Sequence, residues 1–296
     1  MKAFLAWLLR SRAARIGLVS LFGLIRLFGP LSGGMIALVV LRQGWLEGVL
    51  TTLGASLVLG AVETGLLHSG LLLITVPTLT LWVLIIALAL ILRYTASLAL
   101  MVQAATAAGC LAVIAFFVAT PDPVAFWQPV LTHALLPALS ASDASRDWTP
   151  VIERMALLMT GVTGASLVLG SSVAVFCGRW GQALLYNPGG FRSAFHGLRM
   201  GWVATIAASA IFVLAGLFDN HVLNNLAIVL LVMFMYQGLA VIHAVAGIKR
   251  VHVGWLILFY AIFILKPLYV LAVVAGGGLV DNWFNIRAWV ARRQQV

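Results

Sequence analysis

The sequence predicts an all-α protein, a polytopic transmembrane helical bundle forming a single integral membrane domain over residues 1–296. Three observations predict it. Hydrophobic residues make up 63% of the 296 positions and charged residues only 9%, more apolar surface than a water-soluble domain can cover. Runs such as residues 71–92 and 226–245 carry almost no ionisable side chain, and a bilayer accepts such runs as helices. The basic residues gather near the ends of these runs, where they fix orientation. At roughly 20 residues per crossing, the chain supplies about eight or nine hydrophobic segments, the first and last of them broken by proline.

The first segment follows Lys2, Arg10, Arg12 and Arg15. That charged start resembles a signal peptide, but no small-residue cleavage pattern follows and Arg26 interrupts the run, so the segment is read as uncleaved. Residues 16–41 could form one tilted helix, yet Gly29-Pro30 and then Gly33-Gly34 sit within them. Proline removes a donor and disfavours helix in the residue before it, so the alternative is two short helices that enter and return. Charge arbitrates for the second. With the amino terminus cytoplasmic and residues 16–41 returning, Arg42, Arg93, Arg179, Arg192, Arg199, Lys249 and Arg250 fall inside. Glu63, Asp122, Asp143, Asp147 and Asp219 then fall outside. This is the usual positive-inside bias of membrane proteins. The weakness is length, since residues 31–41 rise only about 16 Å as helix.

Seven clear spans follow, near residues 46–62, 70–92, 97–118, 151–177, 200–218, 226–247 and 255–278. They are apolar on all sides, as lipid or bundle burial requires. An outer polar loop is expected over about 119–150 and a cytoplasmic elbow over about 178–199. The last segment, residues 255–278, holds Lys266-Pro267 at its centre and has basic flanks on both sides. It is either one kinked span or a segment that doubles back, and both readings stay open. Small-residue pairs at Gly44/Gly48, Gly161/Ala165 and Ala13/Gly17 have the spacing that lets membrane helices approach closely. No internal repeat stands out.

Several function classes are disfavoured. The formal charge of +10 would suggest nucleic acid in a soluble protein, but here it belongs with anionic headgroups, and the lipid bilayer is the expected partner. Cys110 and Cys177 lie in apolar runs and form no metal-site spacing. P-loop, Rossmann, GxSxG and HExxH patterns are missing, so no enzyme, cofactor or metal is expected.

Polar residues within apolar runs are costly and often functional. Arg26, Gln103, Gln237, His243 and Lys266 are of this kind, and Tyr236 and His243 share a helix face. A second group gathers at the expected outer ends: Glu63, His68, His133, Asp219, Asn220, His221, Asn224 and Asn225. From these, Glu63, His68, Asp219, Asn220, Asn224, Gln237 and His243 are the candidate ligand-binding residues. The plain alternative is a turn with helix caps. The elbow carries Arg179, Trp180, Tyr186, Asn187, Pro188, Phe191 and Arg192, aromatics and cations suited to a membrane interface or to a cytoplasmic partner.

Three strings carry a family resemblance: Pro30 to Gly48 with Leu41-Arg42-Gln43-Gly44, Arg179-Trp180 to Phe191, and Gly278 to Arg287. In these the chain resembles the YybS-like family of predicted bacterial membrane proteins, with Asn285 where the family pattern has Asp. That family is distantly similar to the substrate-binding membrane subunits of energy-coupling-factor transporters. The resemblance implies binding of a small solute from the outer side and a cytoplasmic ATPase-coupled partner. The alternative expectation is a structural or accessory membrane protein that binds no solute.

Overall fold

The structure, a computed structural model, describes residues 1–65, 74–143 and 145–294. His68 and the side chain of Arg26 lie outside the described residues. In chain order the helices are α1 (Lys2–Arg10), α2 (Arg12–Leu24), α3 (Gly29–Gln43), α4 (Trp45–Gly65), α5 (Thr75–Thr95), α6 (Leu98–Ala119) and α7 (Pro123–Ser142). They continue with α8 (Thr149–Tyr186), α9 (Gly190–His196), α10 (Gly201–Leu217), α11 (His221–Ile248), α12 (Val253–Leu265), α13 (Pro267–Phe284) and α14 (Ile286–Arg293). No strand occurs among the described residues. Six of these helices, α4, α5, α6, α8, α11 and α13, are long and apolar enough to cross a membrane. A seventh span results if α9 and α10, bent by 51° at their break, count as one. The chain is therefore a multi-pass helical membrane protein. It divides into two compact units, one of residues 1–105 and 169–199, the other of 106–168 and 200–296.

In the first unit, Ser11 caps α2 by accepting a hydrogen bond from the Ala14 amide at 3.2 Å. The helix stops where Ile25 turns extended, and Pro30 sits in the first turn of α3, where no amide donor is needed. Every residue from Ser32 to Leu41 is buried, so α3 is apolar all round because other helices surround it. It meets α8 through glycine: a Cβ on Gly178 would strike Ala37 and the backbone of Gly34. Gly44 has φ of 105°, open only to glycine at ordinary cost, and ends α3. The Gly44/Gly48 pair is therefore a helix end followed by a contact of Gly48 with Val40, not a face of one helix. Gly17 faces open space in this unit.

In the second unit, the expected polar loop contains a 20-residue helix, α7. The Asp122 carboxylate accepts from the Val124 and Ala125 amides at 2.9 and 3.0 Å, and Pro123 occupies the first helical turn. Leu131 then packs against Ile152 and Ala156 of α8, and Trp127 donates its indole N–H to the Thr160 hydroxyl at 2.9 Å. Burying one apolar stripe in this way converts a mixed-polarity stretch into helix. The helices α11 and α13 cross at two glycines. A Cβ on Gly238 would strike the Val274 carbonyl, and one on Gly278 the Phe234 carbonyl. Rising numbers on α11 meet falling numbers on α13, so the two run antiparallel. The start of α13 therefore lies towards the end of α11. Helix α12 is 13 residues long with no buried residue, and its length of about 20 Å is short of a crossing.

Candidate functional site

Polar side chains concentrate in four places. The first is the start of α11. Asn220 caps this helix, its carbonyl oxygen accepting from the Leu223 amide at 3.1 Å. Asp219, Asn220 and His221 are exposed and Asn224 is half-buried. Asn220 and His221 line an open cleft of about 390 Å³ with Asp122, Phe117 and Leu157. Capping leaves the second Asp122 oxygen, the Asn220 amide nitrogen and the His221 ring available to a small molecule. Asn225 is fully buried behind them. Its amide donates to the Leu157 carbonyl and accepts from the Gly161 amide, the two groups a regular helix pairs with each other.

The second place is the middle of α11. Gln237 is fully buried. Its carbonyl accepts from the Met200 amide at 2.8 Å and from Asn282 at 3.0 Å, while its amide donates to Asp281 at 3.3 Å. Arg287 donates to the same Asp281 oxygen at 2.7 Å. Asn285, in the left-handed region with φ of 47°, turns the chain between α13 and α14 so that Arg287 reaches back, a conformation Asn tolerates better than most residues. The start of α10, the middle of α11 and the junction of α13 with α14 are thus tied at one buried polar knot.

These two places are not one site. On a continuous helix Gln237 stands about 25 Å from Asn220, and His243 about 34 Å. His243 bonds the Tyr260 hydroxyl of α12 at 2.7 Å. The candidate ligand residues of the second unit therefore separate into Asp219, Asn220 and Asn224 at one end of α11 and Gln237 and His243 towards the other.

The third and fourth places are in the first unit. Glu63 is 0% exposed, and its carboxylate accepts from the Ile74 amide at 2.7 Å, the Thr75 amide at 3.0 Å and the Thr75 hydroxyl at 2.7 Å. It caps α5 from a neighbouring helix and satisfies amides that a helix start leaves open. At the other end of α4, Glu47 pairs with Arg12 and with the buried Arg15, and Arg15 also bonds Gln43.

The elbow is largely helix. α8 continues as helix past Arg179 to Tyr186, and the chain turns at residues 187–189, where Gly189 has φ of 86°. The run from Arg154 to Arg179 covers about 38 Å, enough for a bilayer core, and the last turns extend beyond it. Arg179 bonds Gln182 at 3.0 Å, and the Arg42 guanidinium lies 3.5 Å from the Tyr186 ring centre. Phe191 and Phe195 of α9 pack on Phe176. Trp180, Tyr186, Asn187, Pro188 and Arg192 are exposed.

Asp281 and Asn282 are site residues that sequence reasoning did not single out, while Asn225 was noted only as part of the outer polar group. An acid within an apolar 18-residue helix was the available signal for Asp281. No protein-family model, curated protein or solved structure matches the chain.

Proposed function

We propose that this protein is a multi-pass subunit of the bacterial inner membrane, its amino terminus cytoplasmic, that receives a small polar solute from the outer side. The observation that carries the reading is the cleft of about 390 Å³ where Asp122, Asn220 and His221 converge, a size and a mixture of apolar wall with few polar groups suited to a small ligand. The resemblance to the YybS-like family, itself distantly similar to transporter substrate-binding subunits, supports it, as does the distribution of arginine, which favours an outer position for this end of α11. Asp219 precedes Asn220 in the chain, and Asn224 stands about one helical turn after it. Gln237, His243 and Glu63 hold helices in place and belong to the framework.

The test uses Asp122→Ser and Asn220→Ser, which keep a capping oxygen, together with His221→Ala. The purified protein is screened against water-soluble vitamins and divalent metal ions by thermal midpoint. A ligand that raises the midpoint of the parent, and no longer does so in the triple variant, supports the cleft. A ligand shift that survives the three substitutions rejects it.

A second reading, an accessory protein without a solute, is favoured by the engagement of Glu63 and Gln237 in helix-end bonds. It predicts no ligand shift, and co-purification of a cytoplasmic ATPase or membrane partner that Trp180→Ala with Arg192→Ala abolishes.

A further inference from the structure

We infer that the groove between α11, α12 and α13 is a binding site for one anionic phospholipid, an acyl chain lying in the groove and the phosphate held by Lys266, Arg250 and Lys249. The groove holds about 380 Å³ and its walls include Gly238, Val241, Phe259, Tyr269, Val273 and Gly277. Among the described residues, no charged side chain lines it. Helix α12 bounds it without burying a single residue, and Leu265, Leu268, Tyr269 and Val273 are each at least 75% exposed. An apolar slot alone does not choose among lipids, because a chain gains nothing over the surrounding bilayer. The choice comes from charge.

All three cations stand at one end of the slot. Lys249 and Arg250 follow α11, and Lys266 precedes α13, whose antiparallel run brings its start to that same end. All three are exposed, and none has an ion-pair partner among the described residues. Arg250 is the most telling. It has φ of 51°, and the Val251 amide bonds back to the Ala246 carbonyl at 2.9 Å. This is the left-handed helix end at which glycine is the ordinary residue, and a side chain there is strained. A cation is kept where the fold alone favours glycine. Basic pockets between membrane helices are the known setting for anionic headgroups.

The separation of folding from binding follows from the same geometry. Arg250→Gly removes a charge and relieves the backbone. Gly277→Leu fills the slot, since a Cβ there meets nothing within 4 Å. The full chain is reconstituted in nanodiscs containing equal phosphatidylglycerol and phosphatidylcholine, then released for native mass spectrometry. The parent is expected to retain one phosphatidylglycerol per chain at tenfold or more over phosphatidylcholine. Arg250→Gly with Lys266→Gln and Lys249→Gln is expected to abolish that preference, and Gly277→Leu to abolish retention, both with the detergent thermal midpoint of the parent or higher. Equal retention of the two lipids by the parent overturns the proposal. So does a dimer mass that Gly277→Leu converts to monomer, which would assign the groove to a second copy of the chain.

Discussion

Glu63 shows how a single buried side chain takes its meaning from its partners. An acid inside an apolar run reads as a ligand-binding group, but its oxygens close the start of α5. Glu63→Ala is expected to lower stability by about 1–3 kcal/mol for each amide left open, read as a fall in thermal midpoint. A variant that keeps its midpoint and loses only a solute response would return Glu63 to the pocket. Asn225 behaves alike. Its bonds join α11 to residues 157 and 161 of α8, and no spacing in the sequence connects positions so far apart. Gly161, by contrast, was legible as a close-contact residue, and its Cβ would strike the Asn225 backbone. What was not legible was the identity of the partner. The Asp219-Asn220-His221 turn could be located from composition, because Asp and Asn favour caps, yet Asp122 as its neighbour could not.

At the scale of elements, the crossing of α11 and α13 depends on the missing side chains of Gly238 and Gly278. Gly238→Leu or Gly278→Leu is expected to cost about 1–3 kcal/mol or more as the helices are forced apart, and to loosen the Gln237–Asp281 contact. Gly276→Ala is the control: a Cβ there meets nothing within 4 Å, and helix propensity favours alanine by about 0.5–1 kcal/mol. Midpoints that fall equally in all three variants would refute the crossing. Helix α7 illustrates what composition hides. Its prolines and polar flanks read as a loop, and its helical form depends on the Asp122 cap and on the apolar stripe that rests on α8. The connection after α7 is expected to respond to acid at two carboxylates. The Ser145 hydroxyl and amide hold the Asp143 carboxyl below its ordinary 3.8, and the Thr149 amide does the same for Asp147. A lowered folded value means the contribution is present above the ordinary value and disappears as pH falls through the lowered one. Amide exchange at residues 145 and 149 is expected to accelerate, relative to its intrinsic rate, only below that range. Both carboxylates are exposed, so the effect stays local.

For the whole molecule, the membrane class was legible because hydropathy measures it directly, while the number of crossings was not. Helices α3 and α12 are as apolar as true spans, but at 15 and 13 residues they rise only about 22 and 20 Å. Proline marks the candidate breaks at Gly29-Pro30 and Lys266-Pro267, but composition does not decide whether the pieces on either side cross separately. Among the described residues, six helices, or seven if the bent pair α9 and α10 counts as one span, have the length and apolarity of a crossing. Orientation is the remaining global quantity, and it depends on the bias of arginine and lysine towards the cytoplasm. Cysteine at Asn187, in the exposed turn after α8, and cysteine at Asp219, in the exposed turn before α11, are the two probes. Each is placed in a background with Cys110 and Cys177 replaced by serine. An impermeant maleimide added to intact spheroplasts is expected to label the probe at 219 and to spare the probe at 187 until the membrane is opened. Labelling at 187 in sealed spheroplasts would invert the chain. Protection of the probe at 219 in sealed spheroplasts would remove the outer entrance from the cleft that Asn220 and His221 line.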